Sequence, residues 1–327
     1  MSSKLIVVIG ATGTQGGSVV ETFRNDPSWT VRAVTRSTSS EKARALRAQG
    51  VSTVAADLGD PSSLDAAFEG ASVIFSVTNF WGIHFDPEHQ AKAKTGQRLI
   101  DLSYEVEVQQ GKNVFDAAAK VKTLDRLIFS GLSHAAKWSK GKYKHVLHYD
   151  SKAVAAEYGQ ETYPELWNKT SVIQIGFYLE NFLKSPVQFN RRDKDGVVKF
   201  LGFLGGETLL PLIATSKDTG PLTKALVEAE SGKNLIAYRG LITYDEFIGL
   251  WSRTLDIPAE RDTQPDISDL PPFLPIEELL EGFGYMADFG YEAWEDTTVV
   301  HPKNLGVPIE LGSVEDWIKQ QDWSFLK

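Results

Sequence analysis

Three glycines, Gly10, Gly13 and Gly16, recur at intervals of three in the stretch LIVVIGATGTQG, Leu5 to Gly16. Thr12, Thr14 and Gln15 stand between them. Glycines at this spacing let a backbone turn tightly and approach a pyrophosphate, whose charge is met by the free N–H groups and dipole of a helix N-terminus. The chemistry this predicts is dinucleotide binding. Arg36 lies twenty positions beyond Gly16 and is followed by Ser37, Thr38 and Ser39. An acid near this point would bind the ribose hydroxyls of NAD; a guanidinium beside hydroxyls suits the 2′-phosphate of NADP. Asp57-Leu58 ends a later apolar run, where the carboxylate either accepts from an adenine amino group or caps a turn.

The elements that must carry these residues alternate. Leu5 to Ile9 reads as a buried strand and Ser18 to Phe23 as a helix. Strand runs follow at Thr30–Thr35, Val51–Ala56, Ala71–Val77, Leu124–Phe129 and Thr170–Ile175. Helical patterns lie between them at Glu41–Gln49, Ser62–Phe68, 86–121 and His148–Tyr158. Strand and helix in strict alternation predict an α/β fold, a Rossmann-type doubly wound parallel sheet. In such a sheet the carboxyl ends of the strands line the ligand crevice, which places Thr78, Asn79, Phe80 and Trp81 beside cofactor or substrate. The rhythm breaks after Gly176. We therefore expect an NADP-binding domain over 1–176 and a smaller, irregular α+β lobe over 177–327 that caps the crevice. In that lobe Phe177–Val187 reads as loop leading to helix, and Val197–Leu209 as paired short strands. Thr215–Asp218 reads as the lead-in to a helix at Leu222–Glu230, and Thr243 as a helix N-cap.

Composition narrows the function classes. The chain has 327 residues, 42% of them hydrophobic, and a formal net charge of −9. The acidic balance argues against a nucleic-acid or anionic-membrane surface. With no cysteine, thiolate metal sites and disulfides are excluded. His84, Asp86 and His89 form no complete metal set, so no metal is expected. No apolar run reaches a membrane span of ~20 residues, and with the first strand entered by residue 4 or 5 no signal peptide is expected. The expected compartment is the cytoplasm, or the nucleus for a regulator.

A second group of residues lies further on. Ser130 ends the fifth strand run, and His148-Tyr149-Asp150-Ser151-Lys152 opens the following helix. The arrangement resembles short-chain dehydrogenases, whose Y-x-x-x-K pair supplies a phenol acid and a Lys that holds the nicotinamide ribose. Here Ser130 and Lys152 match, but His148 occupies the position four before the Lys and Tyr149 the position three before. Either side chain shares a helix face with Lys152. Imidazole titrates near neutrality, so His148 is either the proton donor or a structural residue in a site that has lost its donor.

The stretches G-A-T-G-T-Q-G at 10–16, T-R-S at 35–37 and V-T-N-F-W at 77–81 identify a closer resemblance, together with F-S-G-L at 129–132, H-Y-D-S-K at 148–152 and F-Y-L-E-N-F at 177–182. The chain resembles the NmrA-like branch of the atypical short-chain dehydrogenases and, more distantly, isoflavone-reductase-like enzymes. That resemblance implies NADP(H) along the glycine loop, Arg36 at the 2′-phosphate, Asp57 near adenine and Thr78 to Phe80 beside the cofactor. It also implies Lys152 on the nicotinamide ribose, with Tyr178, Glu180 and Asn181 beyond it. Within such a family two functions remain open. One is an NADPH-dependent reductase of a small carbonyl, imine or conjugated alkene, using Lys152, His148 and Ser130. The other is a non-catalytic NADP(H) sensor with a protein partner, in which the basic stretch Lys137–His145 would act as a lid or docking patch. The aromatic lining Trp81, Phe177, Tyr178 and Phe182 favours the reductase. A homodimer is compatible with either.

Overall fold

A computed structural model describes residues 3–183, 187 and 189–326. Its centre is an eight-stranded sheet. The strands in chain order are β1 (Lys4–Val8), β2 (Trp29–Thr35), β3 (Ser52–Ala55), β4 (Val73–Ser76), β5 (Arg126–Gly131) and β6 (Thr170–Ile175). Their spatial order is β6-β5-β4-β1-β2-β3, every pairing parallel. This is the doubly wound arrangement the alternation predicts. The order reverses between β1 and β4, which opens a crevice at the carboxyl ends of those two strands.

Helices cover both faces, so the strands are near-continuous apolar runs. On one face α1 (Thr14–Arg24) packs on Val8, Val31 and Phe75. On the same face α2 (Glu41–Ala48) packs Leu46 against this cluster near the sheet edge, and the other face is covered by different helices. There α3 (Pro61–Phe68) buries Leu64 and Phe68 with Val7, Ile74 and Phe129. The stretch 86–121, which reads as one long or broken helix, is broken. After the short α4 (Phe80–His84), it holds one short turn, α5 (Pro87–Gln90), and then α6 (Leu99–Ala118). Next come α7 (Ala135–Trp138), α8 (Leu147–Thr162) and α9 (Pro164–Trp167). Helices α6 and α8 approach closely because glycine stands at the contact: a Cβ on Gly111 would lie 2.4 Å from the Ala155 Cβ, and one on Gly159 2.4 Å from the Phe115 ring.

Beyond Gly176 come β7 (Phe177–Tyr178), β8 (Asn190–Arg192), β9 (Val198–Phe200) and β10 (Leu209–Ile213). They are followed by α10 (Thr215–Glu228), β11 (Asn234–Ala237), β12 (Gly240–Thr243) and α11 (Tyr244–Leu255). The last elements are β13 (Ala259–Arg261), α12 (Ile276–Phe289), β14 (Val299–Val300) and α13 (Val314–Gln320). Strands β11 and β14 extend the large sheet beside β6. The others form two three-stranded sheets, β12-β10-β7 and β13-β9-β8. Thr243 caps α11 as expected, in a capping box with Glu246. Helix α10 starts at Thr215, seven residues before the expected Leu222, and runs through Pro221. Its packing on α1 explains this: the Gly220 N–H donates to Ser18 Oγ at 2.9 Å, and Gly220 sits so close that a Cβ would meet Thr22 Oγ1 at 2.1 Å. The expected helix after Phe177 is a 3-10 turn, Leu179–Phe182, and residues 184–186 of that stretch lie outside the described residues. Trp317 and Trp323 are both core, packed near Trp251; Trp323 lies beyond the end of α13. Among the described residues no helix is long and apolar enough to cross a membrane.

Candidate functional site

The glycine run leaves β1 and enters α1 at the crevice. Gly10 has φ +66°, and a Cβ there would press on Val77 Cγ1 at 2.7 Å. At Gly16 a Cβ would lie 2.3 Å from the Gly10 carbonyl oxygen, backbone against backbone. Gly13 is the N-cap of α1 and offers no side chain to its first N–H groups. A tight turn, an open approach and an uncapped helix N-terminus are what a pyrophosphate needs.

These features border a groove of about 680 Å³. It is lined by Gly10, Thr12, Gly13, Thr14, Gln15, Gly16, Arg36, Ser37, Asp57, Leu58, Thr78, Asn79 and Tyr178, all expected from sequence. Arg36 is exposed at its far end, and no hydrogen bond or ion pair engages it among the described residues. Lys42 also lines the groove, and its Nζ donates to the Thr12 carbonyl at 3.1 Å, bracing the loop. Asp57 Oδ1 accepts from the Gly59 N–H at 2.7 Å, a turn contact that coexists with a place on the groove wall. The donor set therefore fits an NADP-type dinucleotide.

A second hollow of about 640 Å³ adjoins the groove. The two share Gln15, Thr78, Asn79, Gly82 and Tyr178. Its wall is mostly apolar and aromatic, including Phe80, Trp81, Phe85, Phe177, Phe189, Phe283 and Met286. Phe80, Asn181, Ser130, His148 and Lys152 face this hollow rather than the groove.

Asn79 shapes the junction. Its Oδ1 accepts from the Gly82 N–H at 3.0 Å, and a Cβ on Gly82 would collide with the amide at 2.2 Å. Ser130 Oγ donates to Gln15 Oε1 at 2.8 Å, and Gln15 Nε2 donates to the Tyr178 hydroxyl at 2.7 Å. The Ser130 proton is thus committed to Gln15, so this hydroxyl orients the loop amide and is not the acid. Burial pushes the Tyr178 phenol up to about 12.

Lys152 lies on α8 and donates to Thr78 Oγ1 at 3.0 Å and to Glu107 Oε1. Glu107, on α6, is 1% exposed and also accepts from Ser151 Oγ. Pairs 107/151, 111/155 and 115/159 step along the two helices every four residues; the glycines at 111 and 159 bring Glu107 within reach. His148 Nδ1 bonds Glu278 Oε1 on α12. Glu278, 2% exposed, also accepts from the Leu147 and His148 N–H groups at 2.9 and 2.8 Å. Tyr149 lines the hollow, packed against Tyr291 and Tyr285, and burial raises its phenol well above the usual range.

Glu107 and Glu278 were not singled out from sequence. Each lies on the buried stripe of its helix, Glu107 between Ser103 and Gly111, Glu278 before Gly282 and Phe283. An acid at core spacing beside small residues is the signal that could have found them. Glu180, expected near the cofactor, lines neither hollow. Its carboxylate accepts from the Thr215 and Ser216 N–H groups at 3.1 Å and so caps α10. The basic stretch Lys137–His145 is tied to α12: Tyr143 donates to Asp288 at 2.6 Å, and the Lys144 N–H to Glu281 at 2.7 Å. Asp86 caps its own turn and lies 3.3 Å from His89 Nδ1, while the buried His84 faces Ser103 at 3.2 Å.

The family profile of the NmrA-like family matches residues 2–317. The chain belongs to the NmrA-like family. It is 28% identical to the NmrA-like family domain-containing oxidoreductase ptmS of Penicillium ochrochloron, over 99% of this chain and 95% of that protein. It is 32% identical to the corresponding oxidoreductase himF of Aspergillus japonicus, over 85% of each chain. Among solved structures the fold of this NmrA-like protein is similar to that of NmrA, a negative transcriptional regulator, in complex with NADP. The TM-score is 0.68, with 18% identity over 100% of this chain and 93% of that one. It is likewise similar to the Citrobacter sp. triphenylmethane reductase complexed with NADP(H), with TM-score 0.67 and 18% identity over 97% and 99% of the two chains.

Proposed function

We propose that this NmrA-like protein is an NADPH-dependent reductase of a small molecule bearing a carbonyl, imine or conjugated double bond. The observation that carries the reading is the junction of the two cavities. A groove built for a dinucleotide opens, at Gln15, Thr78, Asn79, Gly82 and Tyr178, onto an aromatic hollow whose wall carries Lys152 and His148. A sensor with no chemistry needs no such hollow, and side chains do not fill this one. The relatives named as oxidoreductases support the same reading.

When bound, NADPH would supply the hydride. The loop Gly10–Gly16 and the start of α1 would hold its pyrophosphate, Arg36 and Ser37 its 2′-phosphate, and Asp57-Leu58 the adenine end. Thr78, Asn79 and Tyr178 would border the nicotinamide end. Lys152, steadied by Glu107 and Thr78, would hold the ribose. Ser130 orients Gln15 at that junction. The aromatic wall, with Asn181 at its side, excludes water and receives an apolar substrate. His148 would deliver the proton, because its ring lines the hollow beside Lys152, whereas burial makes the Tyr149 phenol a much weaker acid. The cofactor part of the chain would run to about Gly176 and take back β11, β14 and α10, with the remainder shaping the substrate side.

His148→Gln tests the assignment. Turnover should fall ~10²–10⁴-fold with NADPH affinity retained, the range general acid catalysis contributes. Lys152→Ala should abolish turnover. Full activity in either variant removes that residue from the mechanism.

A further inference from the structure

Glu278 sits outside every motif of the sequence, yet it is the only protein group bonded to the His148 ring among the described residues. It comes from α12, 130 positions away, and its side chain is 1% exposed. The same carboxylate takes the Leu147 and His148 N–H groups, so it also caps α8, whose N-cap residue Val146 gives no side-chain bond. A carboxylate only accepts, so its partner Nδ1 carries a proton. The ring is further confined by Trp81, with centroids 5.2 Å apart, by Phe80 at 6.0 Å, and by Gly282, where a Cβ would stand 3.8 Å from Cε1. Nε2 has no partner among the described residues.

We infer that Glu278 is a positioning residue: it keeps a proton on His148 Nδ1, so that Nε2 is the atom that loads and delivers the proton of the reduction. This rests on the reductase reading above. The substrate carbon gains a hydride, and its heteroatom, or the neighbouring carbon of a conjugated alkene, gains the Nε2 proton of the imidazolium. His148 is left neutral with Nδ1–H on Glu278, and the side chain, 21% exposed, reloads from water. The carboxylate stabilises the imidazolium and fixes the tautomer, the role that an acid plays behind a catalytic histidine.

The test is long-range ¹H–¹⁵N correlation of the histidine rings in the full-length protein, without cofactor, at a pH where the rings are neutral. His148→Gln identifies the signal by its loss. The expected wild-type ring is the Nδ1–H tautomer. Glu278→Leu removes both Oε1, which takes Nδ1 and the His148 N–H, and Oε2, which takes the Leu147 N–H, so Nδ1 loses its acceptor and the proton should move to Nε2. An Nε2–H tautomer in the wild type overturns the inference, even if the variant does not fold, as does an unchanged ring in Glu278→Leu. Kinetics give a second reading. Glu278→Gln should lower kcat ~10-fold or more, with KM and NADPH affinity within about twofold. The double variant with His148→Gln should be no slower than His148→Gln alone; multiplied losses would mean Glu278 does not act through His148. Full activity of His148→Gln would instead overturn the proton-donor reading, which the tautomer measurement does not depend on.

Discussion

Replacing Glu107 by Ala should destabilise the protein by about 3–5 kcal/mol, the cost of leaving one member of a buried ion pair without the other. The carboxylate is wholly enclosed, the Lys152 side chain is only 12% exposed, and Ser151 is fully buried. Truncation therefore strands an ammonium and a hydroxyl together, with Thr78 the only remaining partner of the amine among the described residues. Glu107→Gln keeps the volume and can still accept from Lys152 while its NH₂ meets the Ser151 oxygen. It should cost less, about 1–3 kcal/mol, the worth of a charge-assisted bond. Glu107→Leu combined with Lys152→Met removes both charges and should lie within about 1–2 kcal/mol of the wild type. Urea unfolding of cofactor-free protein, followed by tryptophan fluorescence, measures all three. A Glu107→Ala loss below about 1 kcal/mol, or a double variant as unstable as the sum of its parts, would refute a closed ion pair behind Lys152.

Two further outcomes follow from single side chains. Arg36→Ala should weaken NADPH binding ~10–100-fold and leave NADH nearly unchanged, since it removes a charge-assisted bond to the 2′-phosphate alone; fluorescence titration with both nucleotides checks this, and equal losses would remove Arg36 from that role. Asp150 is buried against the Ala136 N–H, and burial pushes its carboxyl from 3.8 up to about 6. A raised carboxyl stabilises the fold in its protonated form, fully below its unfolded pKa, and that stability is lost as pH climbs through about 6. Asp150→Asn should thus match the wild type near pH ~4 and exceed it by on the order of 2–3 kcal/mol near pH ~8. Urea midpoints at the two pH values decide it, and an equal gain at both would contradict the assigned shift.

Residues whose role is local were legible in the chain. The glycine loop, Arg36 and Thr78–Asn79 follow strands directly, so sequence order alone brings them to one crevice. The α11 capping box is written within four residues. What could not be read depends on distant contacts. The Pro221 of α10 reads as a helix start, but packing of Gly220 on α1 extends the helix back to Thr215. Strands β11 and β14 fall within the expected lobe 177–327, and only their pairing beside β6 returns them to the large sheet. Glu180 follows aromatic residues at the crevice edge, yet α10 needs its carboxylate as a cap. Glu107 and Glu278 look like solvated helix acids because the side chains they hold, Lys152 and His148, lie 45 and 130 positions away.

The central claim is that a dinucleotide groove and the adjoining aromatic hollow form one reductase site. It is tested most directly by NADPH oxidation, followed by the loss of its near-ultraviolet absorbance, against a panel of ketones, quinones, imines and enones. NADPH affinity should be titrated in the same preparation. The account predicts tight binding with turnover on one compound class, and loss of that turnover in Lys152→Ala. Tight NADPH binding with no turnover anywhere on the panel would contradict it and leave a cofactor-reading regulator as the function of this fold.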